Sequence, residues 1–97
     1  MNAGERRTAI HERISNQLQP LDIIVEDESH LHAGHPGARD GRGHFRVRVV
    51  SDRFAGLNTL QRHRLVYAAV GELMQSDIHA LSVTALTSLE AGQQQQA

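Results

Sequence analysis

Cysteine is absent from this 97-residue chain, so no disulfide framework can form, and the chain alone supplies no thiolate metal site or thiol nucleophile. Tryptophan is absent and aromatic residues make up only 3%, so the core has to be built from Ile, Leu, Val and Ala and the surface offers few stacking platforms. There is no lysine; all ten basic residues are Arg. A dominant charge sign is missing too, since the formal net charge is -1 with His neutral. That is no electrostatic footprint for nucleic acid at the level of the whole chain. No apolar run approaches the roughly 20 residues that span a bilayer, and the opening MNAGERRTAI carries no signal-peptide h-region. No membrane partner is expected, and the chain reads as cytoplasmic. With 39% hydrophobic and 22% charged residues, the composition is that of one globular domain rather than a disordered chain.

What is present is unevenly placed. Seven of the Arg fall between Arg39 and Arg64, while Glu26, Asp27 and Glu28 stand together. Seven His is a high count. Imidazole is a common ligand for borderline-soft metals and the side chain that titrates near neutrality.

Periodicity outlines the elements. Residues 1–7 are expected to be flexible. From Thr8 to Leu18, Ile10, Ile14 and Leu18 form one apolar stripe on a helix that Pro20 ends. Asp22 to Glu28 is β-branched and reads as a strand, and His44 to Ser51 alternates Phe45, Val47 and Val49 against Arg46 and Arg48. These two would pair antiparallel across a long loop, Ser29 to Gly43; with Glu28 opposite His44, Glu26 meets Arg46 on the open face. After a turn anchored by Phe54 and Leu57, Asn58 and Gln61 form a capping box for a helix running to about Gln75. Val66, Ala69, Val70, Leu73 and Met74 would be its buried face, with Gly71 inside it at a cost of about 1 kcal/mol against Ala. Ala80 to Leu86 alternates again as a third strand, and the Gln-rich tail 89–97 is expected to be disordered. The order α-β-β-α-β implies an α+β domain over residues 8–88: a small three-stranded sheet with helices on one face and the other face open.

Three patterns carry chemistry. His30, His32 and His35 lie within the long loop, and His44 and His79 open the second and third strands. Imidazoles converging at strand ends can bind zinc, copper or iron; the same spacing also suits a solvated His-rich loop. Arg62-His63-Arg64 lies on the second helix. His63 leans toward the buried stripe and reads as structural, whereas Arg62 and Arg64 form either a solvated rim or a basic surface for phosphates or an acidic partner. Gly34-His35-Pro36-Gly37 fits a GXXG nucleic-acid clamp by letters, but that clamp joins two helices and this stretch joins two strands, where glycines serve turns. Ser29, His30 and Asp27 make a letter-level triad, yet adjacent strand residues point to opposite faces. No paired carboxylates, phosphate loop or cofactor fingerprint appears, and no enzyme is expected.

Taken together, Asp27-Glu28-Ser29-His30-Leu31-His32, Gly43-His44-Phe45-Arg46-Val47, Val49-Val50-Ser51-Asp52-Arg53-Phe54-Ala55-Gly56, Leu60-Gln61-Arg62-His63-Arg64-Leu65-Val66-Tyr67 and Ile78-His79-Ala80-Leu81 closely resemble the BolA family, over residues 8–86. The resemblance implies an α-β-β-α-β core related to class II KH domains. It also implies pairing with a monothiol glutaredoxin, the two proteins sharing a 2Fe-2S cluster to which glutaredoxin and glutathione contribute thiolates and the BolA-like chain His ligands. By position, His79 matches the ligand before the last strand and His32 the loop ligand, with His30 and His35 as rivals. No cluster is expected on the isolated chain, which would be a monomer or weak dimer. Some family members are described as DNA-binding regulators of morphology and stress genes; Arg46, Arg48, Arg62 and Arg64 would then contact phosphates.

Overall fold

The computed structural model describes residues 2–29 and 43–95. The first helix, α1 (Ala3–Leu18), begins at Ala3 rather than Thr8, because Asn2 and Glu5 form a capping box that the apolar stripe does not announce. The Asn2 side chain accepts from the Glu5 N–H at 2.8 Å and the Glu5 carboxylate accepts from the Asn2 N–H at 3.3 Å. The stripe itself is as expected: Ile10, Ile14 and Leu18 are buried. Gln19 closes the helix in the left-handed region, its N–H on the Ser15 carbonyl, and Pro20 follows.

Strands β1 (Asp22–Asp27) and β2 (Gly43–Val50) pair antiparallel with Glu26 opposite Arg46, the expected register. Strand β3 (Ile78–Leu86) lies parallel to β2, so the sheet order is β1-β2-β3. A parallel neighbour needs a crossover. It is made by a 3-10 turn at Asp52–Phe54, α2 (Thr59–Val70) and the short α3 (Leu73–Ser76). The Asn58–Gln61 capping box opens α2 with bonds of 2.9 and 3.0 Å.

The single helix expected to reach Gln75 is broken at Gly71, which takes φ 63° and ψ -134°, a conformation open to glycine and strained for other residues. Its N–H still bonds the Tyr67 carbonyl, closing α2, and Arg13 of α1 donates to the Val70 carbonyl at 3.3 Å. The tail also differs from expectation. Residues Ser88–Gln95 form a helix, α4, started by a reciprocal pair: the Thr87 N–H donates to Glu90 Oε1 at 2.7 Å and the Glu90 N–H to Thr87 Oγ1 at 3.2 Å. Ala91, within this helix, is its buried residue.

The core lies between the helices and one face of the sheet. Ile10, Ile14, Leu18, Phe54, Val66, Val70 and Leu73 meet Val25, Phe45, Val47, Val49 and Leu81. On the other face Ile24, Glu26, Arg46, Ser82 and Thr84 are exposed. Buried Ser51 ties the layers together, donating from Oγ to the Leu18 carbonyl at 2.8 Å.

Candidate functional site

Strand β3 begins at Ile78 rather than Ala80, and the two extra residues carry the site. Gly43 pairs with Ile78 but His44 pairs with Ala80, so the register slips between Gly43 and His44 and His79 is the extra residue of a bulge. Bulges re-aim side chains. Here the bulge brings His79 beside His44, with ring centres 5.0 Å apart and planes inclined by 49°. His79 is exposed and His44 half-buried.

Short polar chains fix both residues. On the β1 side, the Asp27 carboxylate accepts from the Ser29 N–H at 2.8 Å, and Ser29 Oγ accepts from the His44 N–H at 3.0 Å. Asp27 and Ser29 thus shape a turn, and His30, the third member of the letter-level triad, lies outside the described residues. On the β3 side, the Asp77 carbonyl accepts from the Gly43 N–H at 3.0 Å. The Asp77 carboxylate takes the Ser76 hydroxyl at 2.7 Å and Arg6 Nε at 3.2 Å. The hydroxyl first, and then the guanidinium, hold its pKa below the ordinary carboxylate value.

The donor set is two imidazoles. Two imidazoles bound to one metal at about 2.1 Å with near-tetrahedral angles put their ring centres about 5 Å apart, so the observed spacing suits a shared metal or one iron of a cluster. Among the described residues no group of three His, Cys, Asp or Glu is assembled. His30, His32 and His35, with the Gly34–Gly37 stretch, lie outside the described residues. The chain leaves β1 through Ser29 and re-enters at Gly43, both beside the His pair. His44 is the residue that sequence reasoning underweighted. It was visible as the opening of a strand, but no local pattern announces the bulge that joins it to His79.

The basic residues divide. Arg46 reaches Glu28, not Glu26, at 3.1 Å, a diagonal contact on the open face. Arg48 lies 3.5 Å from Asp22. Arg62 is not a surface contact: its side chain is 13% exposed and bonds the Leu57 and Ala85 carbonyls at 2.8 and 3.1 Å and Glu90 at 2.6 Å. That bond, then the Thr87 N–H, lowers the Glu90 pKa to about 2. Arg64 is exposed, flanked along α2 by exposed Leu60 and Tyr67, and forms no ion pair with the described residues. His63 is half-buried, its ring edge-on to Tyr67 with centres 6.5 Å apart, at the margin of the core rather than within it. The helix-to-helix joint, where a GXXG clamp would lie, is Val70-Gly71-Glu72-Leu73; its Glu72 carboxylate stands 3.5 Å from Arg13 and would repel a phosphate. No helix among the described residues is long and apolar enough to cross a membrane.

A model of the family described as BolA-like protein matches residues 14–90. The chain is 41% identical to SufE-like protein 1, chloroplastic/mitochondrial, of Arabidopsis thaliana over 90% of its own length and 25% of the relative. It is 37% identical to the DNA-binding transcriptional regulator BolA of Escherichia coli over 87% of its own length and 77% of the relative. Among solved structures, the BolA domain of SufE1 from Arabidopsis thaliana superposes with a TM-score of 0.80 at 40% identity, covering 90% of this chain and 96% of that one. The chain spans only a quarter of the SufE-like protein and 56% of the chloroplastic BOLA1 of the same plant. The organellar names of these two relatives leave kinship silent on compartment.

Proposed function

Because this chain belongs to the BolA-like protein family, we propose that it is a non-enzymatic adaptor that pairs with a monothiol glutaredoxin and shares a 2Fe-2S cluster with it. The observation that supports this most directly is the His44–His79 pair, with rings 5.0 Å apart at a strand bulge. His79 and His44 would bind one iron, leaving the thiolates of glutaredoxin and glutathione to bind the other. Two neutral nitrogens in place of two thiolates lower the negative charge at the site and raise the reduction potential. A chain without Cys cannot supply the thiolate half, so the partner is part of the site. His32, the loop position the family resemblance favours, becomes the rival to His44, with His30 and His35 behind it.

The test is a visible absorption and circular dichroism titration of cluster-loaded monothiol glutaredoxin with this protein. A new spectrum at one-to-one stoichiometry, lost in His79→Ala, is the expected result. An unchanged spectrum and no complex would overturn the reading.

The second reading is a DNA-binding regulator, favoured by exposed Arg64 and by the name of the Escherichia coli relative. Arg62 is committed to Glu90 and two carbonyls, while Arg46 and Arg48 already face carboxylates. Of the four Arg expected to contact phosphates that leaves Arg64, and the adaptor reading is the stronger one. Salt-dependent DNA binding that drops with Arg64→Ala would reverse the order.

A further inference from the structure

The two histidines are brought together by a register slip of one residue, so whatever fixes that slip fixes their spacing. The slip falls between Gly43 and His44, and the residue bonded to Gly43 is Asp77. Asp77 is gripped at every polar group: its N–H donates to the Leu73 carbonyl at 2.9 Å, its carbonyl holds the Gly43 N–H at 3.0 Å, and its carboxylate takes Ser76 and Arg6. Of the two side-chain partners, only Arg6 comes from a distant element. It stands in the first turns of α1, 71 residues away in sequence, and the pair keeps some contact with water, its side chains 18% and 15% exposed. The rest of α1 is held by Ile10, Ile14 and Leu18 in the core. Losing the ion pair would therefore leave the helix packed but free the junction that leads into His79.

We propose that Arg6 is a positioning residue for the imidazole pair: through Asp77 it braces the start of β3 and sets the distance between His79 and His44. The proposal builds on the adaptor reading for its purpose but not for its geometry. A positioning group beyond the ligands commonly changes metal affinity about 10- to 100-fold while leaving the fold intact, whereas a partly exposed ion pair contributes little to global stability. These two expectations separate positioning from mere structural support.

The experiment uses the full chain in three variants, Arg6→Ala, Arg6→Lys and Asp77→Asn. The first readout is the nuclear Overhauser contact between the His44 and His79 ring protons in the isolated protein, recorded beside a thermal melt. Arg6→Ala and Asp77→Asn should weaken the ring contact with little change in the melt, and Arg6→Lys should restore it. Should Arg6→Ala fail to fold, Asp77→Asn carries the test, since it keeps the side-chain size and the backbone bond to Gly43. The second readout is the titration with cluster-loaded glutaredoxin, in which the same two variants should bind about tenfold more weakly. Ring contacts unchanged in both variants overturn the proposal. A ring contact that responds as expected, with no cluster spectrum even for the unaltered protein, upholds the brace and sinks the adaptor reading instead.

Discussion

A methyl group on Gly43 would stand 2.5 Å from Cε2 of Phe45, because the Phe45 ring lies back over the first residue of its own strand. The same methyl would lie 3.0 Å from Ser29 Oγ, the acceptor of the His44 N–H. Glycine is therefore required here for space, at the residue where the bulge begins. Phe45 is 2% exposed and packed in the core, so the ring cannot swing aside. Gly43→Ala is expected to destabilise the protein by about 1–3 kcal/mol in denaturant unfolding, the usual scale of overpacking. A variant as stable as the parent would mean that the ring has room to move.

Ser51 is the buried polar side chain of the core, 1% exposed, and its hydroxyl serves the end of α1 and the start of the 3-10 turn at once. Ser51→Ala leaves the Leu18 carbonyl buried without that donor, at a cost of about 1–3 kcal/mol. Ser51→Thr, which keeps the hydroxyl, should recover part of it if the added methyl is accommodated. A melt of Ser51→Ala equal to the parent would show that water replaces the bond.

Elements governed by local pattern were legible in the sequence: the Ile10-Ile14-Leu18 stripe, the alternation of Phe45, Val47 and Val49, and the Asn58–Gln61 box all follow from spacing alone. The boundaries that differ were decided by contacts or by weak local signals. Gly4, between Asn2 and Glu5, dilutes the helical signal of α1's first turn. The apolar spacing of Val66, Val70, Leu73 and Met74 runs straight across Gly71, and only the turn at the Arg13-covered carbonyl ends the helix there. Little near Arg62 foretells its burial, since beyond the nearby Leu57 carbonyl its partners are Ala85 and Glu90 on the far side of the crossover. The site followed the same division. His79 was marked by its place at the start of a strand and by its family phrase, whereas its pairing with His44 in particular arises from strands separated by α2 and α3.

Glu90 predicts an acid-sensitive tail. Its folded-state pKa, about 2, lies below the ordinary 4.5. The carboxylate therefore stabilises the docked α4 fully above the ordinary value, and that contribution is lost as pH falls from about 4.5 through about 2. Glu90→Gln should lower the melting temperature at pH 7 and narrow its gap to the parent below pH 3, with faster amide exchange in α4 at neutral pH. A gap that does not change with pH would mean that the Arg62 contact owes nothing to charge.

His63 was expected to be structural, and its half-buried ring against Tyr67 supports a modest contribution. An aromatic pair of this kind contributes about 0.5–1.5 kcal/mol. His63→Ala should lower stability toward the low end of that range while leaving the visible spectrum of the glutaredoxin complex unchanged. An unchanged melt with a lost spectrum would move His63 from support to ligand.

The choice between His44 and His32 as the second ligand can be made by replacing nitrogen with sulfur rather than by deletion. Deletion at either position can disturb partner docking and so lose the spectrum for a reason unrelated to ligation. A thiolate that enters the coordination sphere instead leaves the cluster bound and changes its electronics: it adds a negative charge and lowers the reduction potential. The gap between clusters with two His ligands and clusters with four thiolates is on the order of 250 mV or more, so exchange of one ligand should move the potential by on the order of 100 mV. The 5.0 Å ring spacing makes His44→Cys the variant expected to show this drop together with a changed visible spectrum, with His32→Cys matching the parent. The reverse pattern would assign the iron to the loop and leave His44 as a neighbour that packs against His79.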